Sequence, residues 1–329
     1  MELKLSNSEK RIIEKIVKII KEKNNFIITT HTSIDGDAVS SELLLYSLLK
    51  NFGKKVRIIN GDPLPSIYKF LPYSKKIKDI SKVKRKEKAD VMFVIDCGNL
   101  ERIGKVKELI SDQTMIINID HHFSNKMYGD INWVNPSYSC CGEMLFYLIS
   151  GLGNINKQQA TLIYTSILTD TGCFTHHFNK NVFFIISRLL EKGINPSEIA
   201  KKIYLERPLN SIKLFILALK TFKYDMKNGI CWMKVTKQMF RKTKTKEEDT
   251  EGFVDFLKTI KEFKICFLIK EKDGGVKVSF RSKGDVNVDK IARIFGGGGH
   301  KEASGCFIKN ITPEKAEKEV LKVIKSMFC

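Results

Sequence analysis

Phe26-Ile27-Ile28-Thr29-Thr30-His31-Thr32-Ser33-Ile34-Asp35-Gly36-Asp37 runs from five β-prone residues straight into a histidine and two aspartates. The first five read as a strand, so the polar block lies just past its C-terminal end. The same arrangement returns twice. Val91-Met92-Phe93-Val94-Ile95 is closed by Asp96, and Met115-Ile116-Ile117-Asn118-Ile119 by Asp120-His121-His122. Val56-Arg57-Ile58-Ile59 is a further strand. Continuous apolar strands separated by helical stretches mark a parallel sheet covered on both faces. The expected fold class is therefore α/β, with an N-terminal, mostly parallel sheet and helices on both of its faces. Ligands bind at the carboxyl edge of such sheets. Three strands delivering acids and imidazoles there say more than any one of them.

Helical spacing appears over residues 8 to 22, from the polar block to Leu48, over 157 to 170 and over 181 to 193. The last of these stops at Gly193, with Asn195-Pro196 beyond it. Residues 191–225 read as a helical linker between a metal-binding catalytic domain, 1–190, and a smaller C-terminal α/β domain, 226–329. Strands are expected there at Cys231–Val235, Cys266–Ile269 and Val276–Arg281, then a helix over 288–295 and a last helix from Thr312. Lys242 to Glu251 reads as a solvated loop. There is no internal repeat.

Composition bounds the function. The chain has 329 residues and a formal charge of +20, and 48 of its 57 basic residues are lysine. That mixture is as much the mark of A/T-rich coding as of an acidic ligand, and it speaks to steering rather than to a site. No apolar run approaches the roughly 20 residues of a membrane span. The N-terminus lacks a secretory pattern, and eight scattered cysteines suggest no disulfide framework. A reducing cytoplasm is the expected compartment. Cys140-Cys141 reads as buried small residues at a helix start, and His176 and His177 as surface or structural residues.

Carboxylates and neutral imidazoles are the donors that hard divalent cations prefer. Two such ions about 3.5–4 Å apart clamp phosphoryl oxygens and acidify water enough to attack phosphorus at neutral pH. Across Gly36, Asp35 and Asp37 could face different ions. Asp96 could bridge both, and His121 and Asp170 could complete the second site. Singly, an aspartate at a strand end is a cap or turn former, and adjacent histidines are commonly on the surface. Only six histidines occur, however, and three of them fall at this edge.

H-T-S-I-D-G-D-A, V-I-D-C-G, I-D-H-H and L-T-D-T-G, in that order, resemble the DHH phosphoesterase superfamily. The later G-G-G-G-H-K-E-A-S-G resembles the DHH-associated domain of its oligoribonuclease/pAp-phosphatase and cyclic di-AMP phosphodiesterase branch. The resemblance implies two Mn2+ ions, with Mg2+ or Co2+ as substitutes. His31, Asp35 and Asp96 would hold one ion, and Asp37, Asp96, His121 and Asp170 the other. His122 would sit beside the scissile phosphate as donor or general acid. Asp120 would orient the histidines from behind, and Arg102 would face substrate.

Four consecutive glycines, Gly296 to Gly299, are expected to serve backbone approach to an anion rather than packing. Gly298, Gly299, His300, Ser304 and Arg281 then form a pocket for a nucleotide phosphate or base, facing the metal centre across a cleft. The expected function is a manganese-dependent phosphodiesterase of cyclic di-AMP or short oligoribonucleotides, releasing nucleoside monophosphates, with pAp as a further substrate. The alternatives are an inorganic pyrophosphatase of the same superfamily and a non-catalytic nucleic-acid-binding protein. The expected partner is a short nucleotide or cyclic dinucleotide, with no long duplex nucleic acid and no membrane. A homodimer is compatible with this reading.

Overall fold

Phe26 and Ile28 of strand β1 (Asn25–Thr29) enter one core and Ile27 another, and all three are fully buried. Such a strand can only lie in the middle of a sheet covered on both sides. The computed structural model, which describes residues 5–83, 89–175 and 178–328, places it there. Helix α1 (Asn7–Glu22) precedes it, closed by a capping box between Ser6 and Glu9. Helix α2 (Gly36–Asn51) follows and is buried from Gly36 to Leu49. Then come β2 (Lys55–Asn60), β3 (Ile77–Asp79), β4 (Val91–Ile95), β5 (Met115–Asp120) and β6 (Ile131–Val134). These six strands form one parallel sheet in the order β3-β2-β1-β4-β5-β6.

Helices α3 (Cys141–Ser150), α4 (Lys157–Asp170), α5 (Asn181–Leu190) and α6 (Pro196–Ala200) share a core with α1, α2 and one face of the sheet. The other face is covered by the 3-10 segment Leu100–Leu109, through Ile103, Val106 and Leu109. Gly36, between the two aspartates, has a packing reason. A β-carbon there would strike the side chain of Thr169, so α2 and α4 approach this closely only over glycine.

The chain divides after Glu206 into two compact units. The segment expected as a linker is split between them. Ile194, Ile199 and Ile203 belong to the first core and Leu214 and Ala218 to one in the second unit. The second unit contains α7 (Leu209–Leu219), β7 (Lys223–Asp225), β8 (Ile230–Val235), α8 (Lys237–Thr243), α9 (Phe253–Lys258), β9 (Ile265–Lys272), β10 (Gly275–Ser282), α10 (Val288–Ile294), β11 (Gly298–Gly299), β12 (Ala303–Lys309) and α11 (Pro313–Phe328). Its mixed sheet runs β11-β12-β10-β9-β8-β7, with only β8 and β9 parallel. Helices α10 and α11 cover one face, and α7 and α9 the other.

Lys242–Glu251 is not a freely solvated loop. Glu247 is ion-paired with Lys272 at 2.6 Å, Lys277 at 3.3 Å and Lys270 at 3.6 Å, and Thr250 is buried. Three cations on the sheet hold this charged segment down.

Candidate metal centre

From β1 the strand order departs both ways, to β2 and β3 on one side and to β4, β5 and β6 on the other. Loops leaving neighbouring strands at such a switch point diverge and open a crevice at the carboxyl edge. The loop after β1 supplies His31 and Asp35, and the start of α2 supplies Asp37. Asp96 follows β4, Asp120 ends β5 with His121 and His122 behind it, and Asp170 ends α4.

Their atoms converge. His31 Nε2 lies 3.5 Å from Asp35 Oδ2 and 3.5 Å from Asp96 Oδ2. His121 Nε2 lies 3.5 Å from Asp96 Oδ1, 3.4 Å from Asp170 Oδ2 and 3.8 Å from Asp37 Oδ2. The two oxygens of Asp96 thus serve two different groups. Asp96 adopts a left-handed backbone (φ 53), which aspartate tolerates better than most residues. Its amide still donates to Ile119 O at 2.9 Å, so the turn is anchored on β5.

Each flanking imidazole is oriented from behind. His31 Nδ1 lies 2.8 Å from Thr32 O and His121 Nδ1 3.3 Å from Tyr138 O. A carbonyl only accepts, so Nδ1 carries a proton and Nε2 is the ring atom turned to the acids. Asp37 is set by α3: Oδ2 accepts from Cys141 N at 2.7 Å and Oδ1 from Gly142 N at 3.2 Å. Ser41 and Ser166 also donate to it.

The electrostatics call for added positive charge. Burial, then the neighbouring Asp96, push Asp37 up to about 6, and burial lifts Asp170 well above the carboxylate range. Burial and Arg102 would depress His31, yet Asp35 and Asp96 raise it to about 10. Among the described residues no lysine or arginine forms an ion pair with Asp35, Asp37 or Asp96. Carboxylate oxygens and imidazole nitrogens are the donors of hard and borderline divalent ions. The ligand atoms of His31, Asp35 and Asp96 lie within 4.8 Å of one another, as do those of Asp37, His121 and Asp170. These residues fit two such cations, with Asp96 between them. Cys141 lies beside Asp37 and Asp96, but burial and those acids hold its thiol well up, which leaves it protonated and a poor ligand.

Asp120 touches an imidazole rather than the centre of the cluster. Its Oδ1 lies 2.7 Å from His122 Nδ1 and accepts from His121 N at 2.9 Å. Asn125 donates to Asp120 Oδ2 at 2.5 Å and to Asn118 Oδ1 at 2.7 Å. The sequence reading missed Asn118, Asn125, Ser41 and Ser166. A signal existed for three of them. Asn118 is a polar residue inside an apolar strand, and Ser41 and Ser166 stand one helical turn from Asp37 and Asp170. Arg102 is exposed on Leu100–Leu109, where its carbonyl accepts from Thr32 N at 2.7 Å. It therefore flanks the His31 loop. His176 and His177 lie outside the described residues.

The second unit gives the glycines a packing reason that the sequence reading had ruled out. Gly296 and Gly297 end α10, their amides donating to Arg293 O and Ala292 O. A β-carbon on Gly297 would collide with the Gly305 carbonyl, and one on Gly299 with Ala303 and Ser304. Close packing against β12 is therefore what these glycines permit. The Gly299 amide is already bonded to Asp289 Oδ1 at 2.9 Å, and Gly298 pairs with Gly305. Ser304 is buried and donates to Val288 O at 2.8 Å. Arg281 Nε bonds Asp255 Oδ1 at 2.6 Å, so one edge of its fork is engaged. His300 is exposed at the turn into β12, its amide donating to Ala303 O at 2.7 Å.

Models of the DHH family N-terminal domain and of the DHHA1 domain match residues 25–167 and 232–328. The chain is 30% identical over 317 residues to a Thermus thermophilus protein named bifunctional oligoribonuclease and PAP phosphatase NrnA, covering 96% of this chain and 93% of that protein. A Bacillus subtilis protein of the same name is 29% identical over 299 residues, covering 89% of this chain and 92% of that one. Among solved structures, an exopolyphosphatase-related protein from Bacteroides fragilis matches with a TM-score of 0.88 at 30% identity, covering 99% of this chain and 98% of that one. RecJ from Thermus thermophilus, at TM-score 0.58 and 13% identity over 99% of this chain and 56% of that one, shares the fold.

Proposed function

Because the chain belongs to the DHH family and is a phosphoester hydrolase, we infer that it is a two-manganese phosphodiesterase of short nucleotides. What supports the reading most is Asp96, whose two carboxylate oxygens face His31 with Asp35 on one side and the His121 group on the other. His31, Asp35 and Asp96 would hold one ion, and Asp37, Asp96, His121 and Asp170 the second, with Mg2+ or Co2+ as substitutes. Bound there, the pair would supply an acidified water and neutralise charge developing on the phosphoryl oxygens.

The chain's own groups have separate tasks. Asp120 holds His122 by Nδ1, so Nε2 is the atom that would pass a proton to the leaving oxygen as the P–O bond breaks. Arg102, exposed beside the His31 loop, offers a planar fork to a phosphate. The +20 charge draws phosphate-bearing substrates towards the protein.

The names of the relatives favour oligoribonucleotides of a few residues and pAp as substrates, and the same chemistry extends to cyclic di-AMP. Nucleoside monophosphates would be the products. Free thiols, all buried except Cys173 among those described, suit the reducing cytoplasm proposed as the working compartment. No helix among the described residues is long and apolar enough to cross a membrane.

A product assay with Mn2+ on linear pApA, a short RNA, pAp, cyclic di-AMP and pyrophosphate tests the proposal. Monophosphate release from the dinucleotide, lost on chelation and restored by Mn2+, is expected. Turnover of pyrophosphate alone, or dinucleotide hydrolysis indifferent to chelation, would overturn it.

A further inference from the structure

The loop behind β5 carries an apolar ring for which the fold has no use. Phe123 directly follows His122 and is 94% exposed, more than any other large apolar side chain among the described residues. Isolated apolar residues on a surface are ordinary. A phenylalanine almost wholly in water, one residue from the imidazole proposed to protonate the leaving oxygen, is a different matter, because the chain carries the two side chains on consecutive residues of one loop.

Looseness of the loop does not explain the exposure. The Asn125 amide donates inward to Asn118 and Asp120, and its Oδ1 accepts from Met127 N at 2.7 Å. Lys126 N donates to Gly98 O at 3.0 Å, and Asn125 N to His122 O at 3.2 Å. One asparagine closes the turn from beneath, and the bonds at 125, 126 and 127 leave residue 123 on its outer side. The ring is held out by a backbone that is itself held down. A surface fixed before its partner arrives loses little freedom on binding.

We propose that Phe123 is a stacking platform for the nucleobase nearest the scissile phosphate. The proposal rests on the short-nucleotide reading above and adds to it the means by which a base is engaged. Every base has a π-face, so a lone ring grips bases with little sequence preference. The protein would then favour substrates with a base beside the cleaved bond over base-free phosphoesters, and would discriminate weakly among bases.

The test uses the full chain with Mn2+, the variants Phe123→Ala and Phe123→Trp, a linear diadenylate, and two analogues of it with an abasic ribose on the 5′ or the 3′ side. Phe123→Ala is expected to raise KM for the diadenylate about tenfold, in keeping with alanine substitution at other base-stacking rings, with kcat nearly unchanged. Phe123→Trp should restore KM. The penalty should vanish on one of the abasic analogues, the one lacking the stacked base. An unchanged KM in a wild type that hydrolyses the diadenylate overturns the proposal alone. So does an equal penalty on all three substrates, or a loss confined to kcat, which would make the ring act through His122. A wild-type protein that hydrolyses no dinucleotide overturns the short-nucleotide reading, and this proposal with it.

Discussion

The carboxyl edge of the first sheet and the glycine segment of the second unit both read in the sequence as ligand sites, and the structure treats them differently. At the edge, Asp35, Asp37 and Asp96 meet with imidazoles and no lysine or arginine counter-ion among the described residues, and burial makes the charge of Asp37 and Asp96 costly. In the glycine segment the polar groups are matched from within. Gly299 N has Asp289, Ser304 has Val288 and Arg281 has Asp255. A cluster whose charges are left unbalanced by the fold invites a ligand, and one whose donors are already engaged serves first to build the fold.

The sharpest way to break this contrast is Asp96→Ala. It removes the carboxylate common to both groups and should lower kcat by at least about 10³-fold, beyond the roughly 10–100-fold typical of an outer partner. Turnover assays with calorimetric titration of Mn2+ check it, and full activity would dissolve the contrast. Asn125→Ala comes next. It leaves the six inferred ligands in place but loosens Asp120 and His122, so a fall of about 10–100-fold in kcat with Mn2+ stoichiometry retained is expected.

Gly297→Ala tests the other side. Its β-carbon would collide with Gly305 and Cys306, an overpacking worth about 1–3 kcal/mol, so the melting temperature should drop by several degrees. Gly298→Ala meets only an ordinary contact with Asp289 and should leave it nearly unchanged. Equal melting temperatures for the two variants would return the glycines to a ligand role.

The smallest effect belongs to Glu247. Burial works against its charge, yet Lys277, Lys270 and Lys272 lower it to about 2. A depressed carboxyl contributes stability above its unfolded value near 4.5 and loses it as pH falls towards 2. Wild type should therefore melt about 2 °C above Glu247→Gln at pH 6, the partial exposure of the pair keeping the gap small. That gap should close as the pH approaches 2. A gap independent of pH would show that the ion pairs are not its cause.

Much of the first unit was legible because its strands are local events. Val91–Ile95 is apolar throughout because both faces are covered, and an aspartate at the end of such a run stands out. The edge strands β3 and β6 escaped notice. Three and four residues long and half-buried, they leave no apolar run to find. The split of the expected linker after Glu206 escaped for another reason: Ile203 and Leu214 are both buried helical residues, and only contact with one core or another tells them apart.

The sequence by itself determined which acids and imidazoles arrive at the sheet edge, since strand, turn and helix signals lie within a dozen residues of each. It also carried the family resemblance, because motif order survives without any knowledge of distance. The tertiary structure alone decided that Asp96 turns one oxygen to His31 and the other to His121, residues 65 and 25 positions away. It alone decided, too, that Gly297 and Gly299 lie so close to β12 that a β-carbon has no room there. Glycine announces freedom of its own backbone but not what uses the space, and a carboxylate announces charge but not which partner each oxygen meets. Both depend on chain brought close by packing elsewhere.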